Sequence, residues 1–99
     1  MSLIWNDSAR LELLEATSYY GHIDGELGGR FGAAVEAAIV RLRNNPSLHR
    51  RFDGEMRKVR VERFPYAIVY RIEASGLHLV AVMHLHREPG YWHGRVEGK

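Results

Sequence analysis

Ninety-nine residues without a cysteine, and a formal net charge of +2, suit one modest hydrophobic core and exclude a disulfide framework or a thiolate metal centre. No apolar run approaches the roughly 20 residues that span a bilayer. The opening MSLIWNDSARLE lacks the basic start and long apolar centre of a secretion signal, so a soluble cytoplasmic protein in one domain, residues 1–99, is expected.

The small net charge hides a segregation. Residues 1–40 hold two arginines against six carboxylates, whereas residues 41–71 hold nine lysines and arginines against three carboxylates. The middle third is either a solvated basic surface or the place where an acidic partner binds. Twelve of the fourteen basic residues are arginine, the side chain that suits bidentate contact with carboxylate or phosphate.

In chain order, Leu3–Trp5 reads as a short strand, and Asn6 or Asp7 can cap the helix that follows. Ala9, Leu13, Ala16 and Tyr20 recur at helical spacing, and Leu11 and Leu14 are expected to widen that stripe. The stretch GHIDG breaks the pattern. A second helix is predicted from about Glu26 to Arg43, with Leu27, Phe31, Val35, Ala38 and Leu42 as its buried stripe. Gly28, Gly29 and Gly32 weaken its first turns or let the two helices approach closely. The stretch NNP ends it, and SLHRRFDGE reads as a polar connector.

The period then changes from helical to two. Strands are expected at about 57–63, 66–73 and 77–86, the last two joined by a tight turn at ASG. Two helices followed by strands with short connections give an α+β fold: a short strand and a two-helix hairpin packed on one face of a small antiparallel sheet, with Leu3–Trp5 at its edge. Strict alternation places Val59, Val61, Ile68, Tyr70, Ile72, Leu79, Met83 and Leu85 toward the helices. The opposite face then carries Lys58, Arg60, Arg71, His84 and His86 and is basic and partly open, with Arg63 and Arg87 near its rim.

His84 and His86 share a face on this reading, as two zinc ligands do, but a site needs three or four. His78 lies about 20 Å away along the strand, so no metal site and no cofactor is assigned. Tyr91 and Trp92 after Pro89-Gly90 are expected to fold back and cover one end of the sheet.

The stretches FPYAIVYRIE and LHLVAVMHLHREPGYWHGR resemble the RelE/ParE superfamily of type II toxin–antitoxin (plasmid stabilisation) toxins. The likeness includes WNDSARLELLEATSYY, the helix end LRNNP, and the closing pattern of His84, Arg87, Pro89, Tyr91, Trp92 and Arg95. The resemblance implies one of two activities on one fold. RelE-like members are ribosome-dependent mRNA endoribonucleases that use no metal; ParE-like members inhibit DNA gyrase by protein contact. It also implies a small acidic antitoxin that adds a helix and an extended segment.

For RNA cleavage, the resemblance draws on Lys58, Arg60, His84, Arg87 and Tyr91 as candidate catalytic residues. The family's arginine after the aromatic of the second long strand is replaced by Ala67, which cannot stabilise a phosphorane. That substitution favours the ParE-like reading and leaves it uncertain whether the chain is an enzyme. Arg57, Lys58, Arg60, Arg71, His86, Arg87 and Arg95 are the candidate partner-binding residues. Gyrase is the expected target, the ribosome and its mRNA the alternative. A decayed toxin that only binds its antitoxin is a third reading, and a homodimer is expected when the antitoxin is absent.

Overall fold

The structure, a computed structural model, describes residues 1–97, leaving the last two residues of the expected 1–99 domain outside. The element order is β1 (Leu3–Trp5), α1 (Asp7–Ile23), α2 (Gly25–Asn44), β2 (Arg51–Asp53), β3 (Met56–Val61), β4 (Tyr66–Glu73), β5 (Gly76–His84) and α3 (Gly94–Glu97). Five strands form one sheet in the order β1-β5-β4-β3-β2. This is the expected α+β arrangement, with a short third helix beyond the expected two and with two differences in the sheet.

The first difference is that β1 runs parallel to β5, so the sheet is mixed. The second is β2, which lies in the stretch read as a connector. Asp53 pairs with Met56 across a two-residue turn in which Gly54 adopts φ +60°. Asp-Gly between extended residues is a hairpin signal, and β2 is the edge strand on this side of the sheet.

Asn6 caps α1: its Oδ1 accepts from the Ser8 and Ala9 backbone N–H groups at 2.9 and 3.3 Å. Asp24 joins the helices alone. Its N–H donates to the Tyr20 carbonyl, and its Oδ1 accepts from the Glu26 N–H at 3.0 Å. The close approach anticipated for the glycines occurs at Gly28, where a Cβ would stand 2.9 Å from the Gly21 Cα, but not at Gly29 or Gly32.

Between helices and sheet lies the larger core, with Ala16, Phe31, Val35, Ala38 and Leu42 packed on Val59, Val61, Ile68, Tyr70, Leu77 and Leu79. Phe31, Tyr20, Phe64 and Tyr66 meet edge-on, with ring centroids 5.0–5.2 Å apart for the Tyr20–Phe64, Phe31–Phe64 and Phe31–Tyr66 pairs. Leu11 and Leu14 do not widen the α1 stripe. They point outward, 55% and 61% exposed, because among the described residues no element lies over that side of the hairpin.

The alternation expected for β5 fails part-way. Tyr70 pairs with Leu79 and Val69 with Ala81, so Val80 is an extra residue, a β-bulge. Beyond it every side chain changes face. Leu77 and Leu79 face the helices, as expected, but Met83 and Leu85 join a second cluster on the far face with Met56, Ala67, Val69, Val80 and Ala81. His84 is carried to the helix side, beside Tyr66, and away from Lys58 and Arg60.

The far face is not open. The tail after β5 folds across it, and Trp92, 1% exposed, completes the second cluster. The corner is Gly90, at φ +78°, followed by a His93 N–H bond to the Gly90 carbonyl at 3.0 Å. Among the described residues, no helix is long and apolar enough to cross a membrane.

Candidate functional site

Once β1 ends at Trp5, the rest of β5 would be an open sheet edge, and a bulge adds unpaired backbone groups. Glu12, reaching from α1, answers both. Its Oε1 accepts from the Val82 N–H at 2.9 Å and from Arg95 Nη1 at 2.9 Å; its Oε2 accepts from the Tyr91 hydroxyl at 2.8 Å and from Arg95 Nη2 at 2.9 Å. Arg95 Nη1 also donates to the Val80 carbonyl at 3.0 Å. The carboxylate and guanidinium thus hold helix, bulge and tail together at 16% and 18% side-chain exposure.

Burial pushes the Glu12 carboxyl upward, but the bonds from Arg95, Tyr91 and the Val82 N–H outweigh it and hold the group below the ordinary carboxylate value. Burial, then the bond to Glu12, pushes the Tyr91 hydroxyl well above the ordinary tyrosine range. A phenol so held donates its proton to Glu12 and does not act as a base near neutral pH.

Glu12 was absent from the residues singled out in the sequence, although it falls among Ala9, Leu13 and Ala16 on the buried stripe of α1. A carboxylate within an apolar stripe requires partners once buried. What could not be read was that the partners lie 79 and 83 residues away.

The candidate catalytic residues divide between two places. Lys58 and Arg60 pair with Val69 and Ala67, so they stand on the far face beside the tail. Both are exposed; Lys58 lies 4.7 Å over the Phe52 ring, and the Arg60 side chain has no partner among the described residues. His84, Arg87 and Tyr91 line a cleft of about 270 Å³ between α1, the end of β5 and the tail, together with Glu12, Tyr19 and Tyr66. Ala67, between the two sets, is completely buried.

The candidate partner-binding residues also differ in availability. Arg57 donates to the Ser47 and His49 carbonyls at 3.2 and 2.7 Å, bracing the stretch that leads into β2. Arg71 is paired with Glu73. Arg95 is engaged by Glu12 and Val80, not presented outward. Lys58, Arg60, His86 and Arg87 are exposed. The Arg87 guanidinium carbon lies 3.9 Å over the Tyr91 ring.

A second surface was not anticipated. Between α1 and α2 runs an outward groove of about 580 Å³ lined mainly by apolar and small residues, among them Trp5, Leu13, Leu14, Gly29, Gly32 and Ile39. Leu14 in its wall is exposed.

No curated protein matches the chain. Among solved structures, a chain of the "Chromosomal ParDE TA system from P. aeruginosa" has a similar fold, with a TM-score of 0.75 and 17% sequence identity over 87% of this chain and 97% of that one. The family described as "ParE toxin of type II toxin-antitoxin system, parDE" matches residues 3–89, from the start of β1 to the proline before the tail's corner. Tyr91, Trp92 and Arg95 lie beyond the matched residues. On that match, which takes in α1, α2 and every strand, the chain belongs to the ParE toxin family of type II toxin–antitoxin systems.

Proposed function

We propose that residues 1–99 act as one cytoplasmic ParE-like toxin domain that inhibits DNA gyrase by protein contact and is neutralised by an acidic antitoxin. One observation carries the reading. The five candidate nuclease residues fall in two places: Lys58 and Arg60 on the far sheet face, His84, Arg87 and Tyr91 in the cleft beyond the β5 edge. General acid–base cleavage at a phosphodiester needs base, acid and cation around one phosphorus atom. Contact inhibition has no such requirement.

The antitoxin, in this reading, lays an amphipathic helix in the apolar groove between α1 and α2 and an acidic extended segment beside the basic 57–73 region. The outer edge of β2 is the last strand of the sheet, and an added strand there satisfies backbone groups that otherwise meet only water. Without the antitoxin the same edge supports a homodimer. Raising salt weakens the complex, since charges at the surface are screened beyond about 10 Å at 0.1 M. An affinity constant across that change removes the charge component of the proposal.

The deciding experiment is induction of the chain in cells that lack its antitoxin. Gyrase inhibition gives DNA-damage (SOS) induction and filamentation, and purified protein stops supercoiling by gyrase. Rapid ribosome-dependent mRNA loss without SOS induction replaces the proposal with the endoribonuclease reading. Normal growth with intact antitoxin binding replaces it with a decayed toxin.

A further inference from the structure

The cleft beyond the β5 edge contains more hydrogen-bond donors than the fold uses. His84 Nδ1 accepts from the His86 backbone N–H at 3.1 Å, so in the neutral ring the proton sits on Nε2, which is a free donor. The Arg87 guanidinium carbon lies 3.9 Å over the Tyr91 ring, and the group has no carboxylate partner among the described residues. The hydroxyls of Tyr19 and Tyr66 have none there either, and burial pushes the Tyr66 hydroxyl up, so it stays a donor. Glu12, at the back, is already filled by four donors. Glu15 is the one other carboxylate in the lining, and it stands at the exposed rim.

We infer that this cleft is a receptor for a carboxylate side chain of an acidic peptide, flanked in that peptide by an aromatic or aliphatic residue. The inference rests on the proposed neutralisation by an acidic partner and assigns one point of its contact. Arg87 and His84 Nε2 meet the carboxylate. Ala16, Val82 and the Tyr19 ring form the apolar wall for the neighbouring residue. A guanidinium already placed over the Tyr91 ring loses little freedom on binding, which suits a short, specific contact. The volume, about 270 Å³, accommodates about one side chain and not a folded element.

The test is a nuclear magnetic resonance titration of the full chain with N-acetyl-Asp-Phe-amide, N-acetyl-Asn-Phe-amide, inorganic phosphate and the dinucleotide UpU. The expected result is saturable shifts of the His84 ring and Arg87 side-chain signals with the aspartyl peptide. The asparaginyl peptide binds about tenfold more weakly, as does the aspartyl peptide to Arg87→Gln, for loss of one charge-assisted pair. Arg87→Lys falls between, because it keeps the charge and loses the fork. Glu15→Gln tightens binding by removing a like charge at the rim. Arg87 and Glu15 are exposed, and unchanged circular dichroism establishes that each variant is folded.

Equal binding of the two peptides, shifts centred on Lys58 and Arg60, or tighter binding of phosphate or UpU overturns the inference. The gyrase reading is tested separately by SOS induction, which no peptide outcome alters.

Discussion

Replacing Trp92 by alanine removes the largest fully buried side chain of the protein. A tryptophan buries about 200 Å², which corresponds to about 5 kcal/mol at 25 cal/mol per Å². That figure is an upper bound, since the unfolded chain already hides part of the ring. The indole Nε1 is buried without a hydrogen-bond partner, so its removal returns about 1–2 kcal/mol. The expected loss is therefore about 3 kcal/mol, at the lower end of measured Trp→Ala costs. For a domain of this size that lowers the melting temperature by about 15 °C. Urea unfolding followed by far-ultraviolet circular dichroism measures it, because the signal does not depend on the lost fluorophore. Trp92→Phe keeps most of the contact with Met56, Val69 and Met83 and loses about 1 kcal/mol. A loss below about 1 kcal/mol for Trp92→Ala refutes the reasoning and means that the tail does not seal the far face in solution.

The Glu12 hub gives a prediction with a definite pH sign. Glu12→Gln leaves Arg95 without its counter-charge and lowers stability by about 2 kcal/mol near neutral pH, measured by urea midpoints. The native carboxyl titrates below its ordinary 4.5, so its contribution is whole above pH 4.5 and is lost as pH falls through the native value. The gap between wild type and Glu12→Gln therefore narrows below about pH 4.5; a gap that widens there contradicts the assignment. In the helical hairpin, Gly28→Val forces a side chain against the Gly21 backbone and costs about 1–3 kcal/mol. Gly29→Ala, with open space at its Cβ, raises stability by about 0.5–1 kcal/mol, and thermal melts of the pair check both signs.

Local chemistry made much of the fold legible. Asn6 before an apolar helical stripe is a cap whatever the rest of the chain does, because the first N–H groups of any helix need acceptors. The alternation in KVRV and YAIVYRIE likewise sets which residues face the helices, since successive strand side chains point to opposite sides. The turn at Gly54-Glu55 is equally local, but its hairpin signal lies inside a run of charged residues. The resemblance that marked the family rested on such ordered local patterns, and the match over residues 3–89 agrees with it.

The site was decided by contacts that no local pattern encodes. A bulge at Val80 changes no composition and no propensity, yet it moves His84 to the helix side and Met83 to the far face. Its backbone groups must find partners, and those partners are the side chains of Glu12 on the first helix and Arg95 in the tail. Sequence by itself determined β1, the two long helices, the three long strands, the Asn6 cap and the segregation of charge. Only the packed chain decided that one sheet face is closed by Trp92, that Arg57, Arg71 and Arg95 are engaged within the fold, and that His84 and Arg87 meet in a cleft. Hydrogen-bond demand at an interrupted sheet edge is satisfied in space, by whichever residues the fold brings within about 3 Å, and distance along the chain has no part in it.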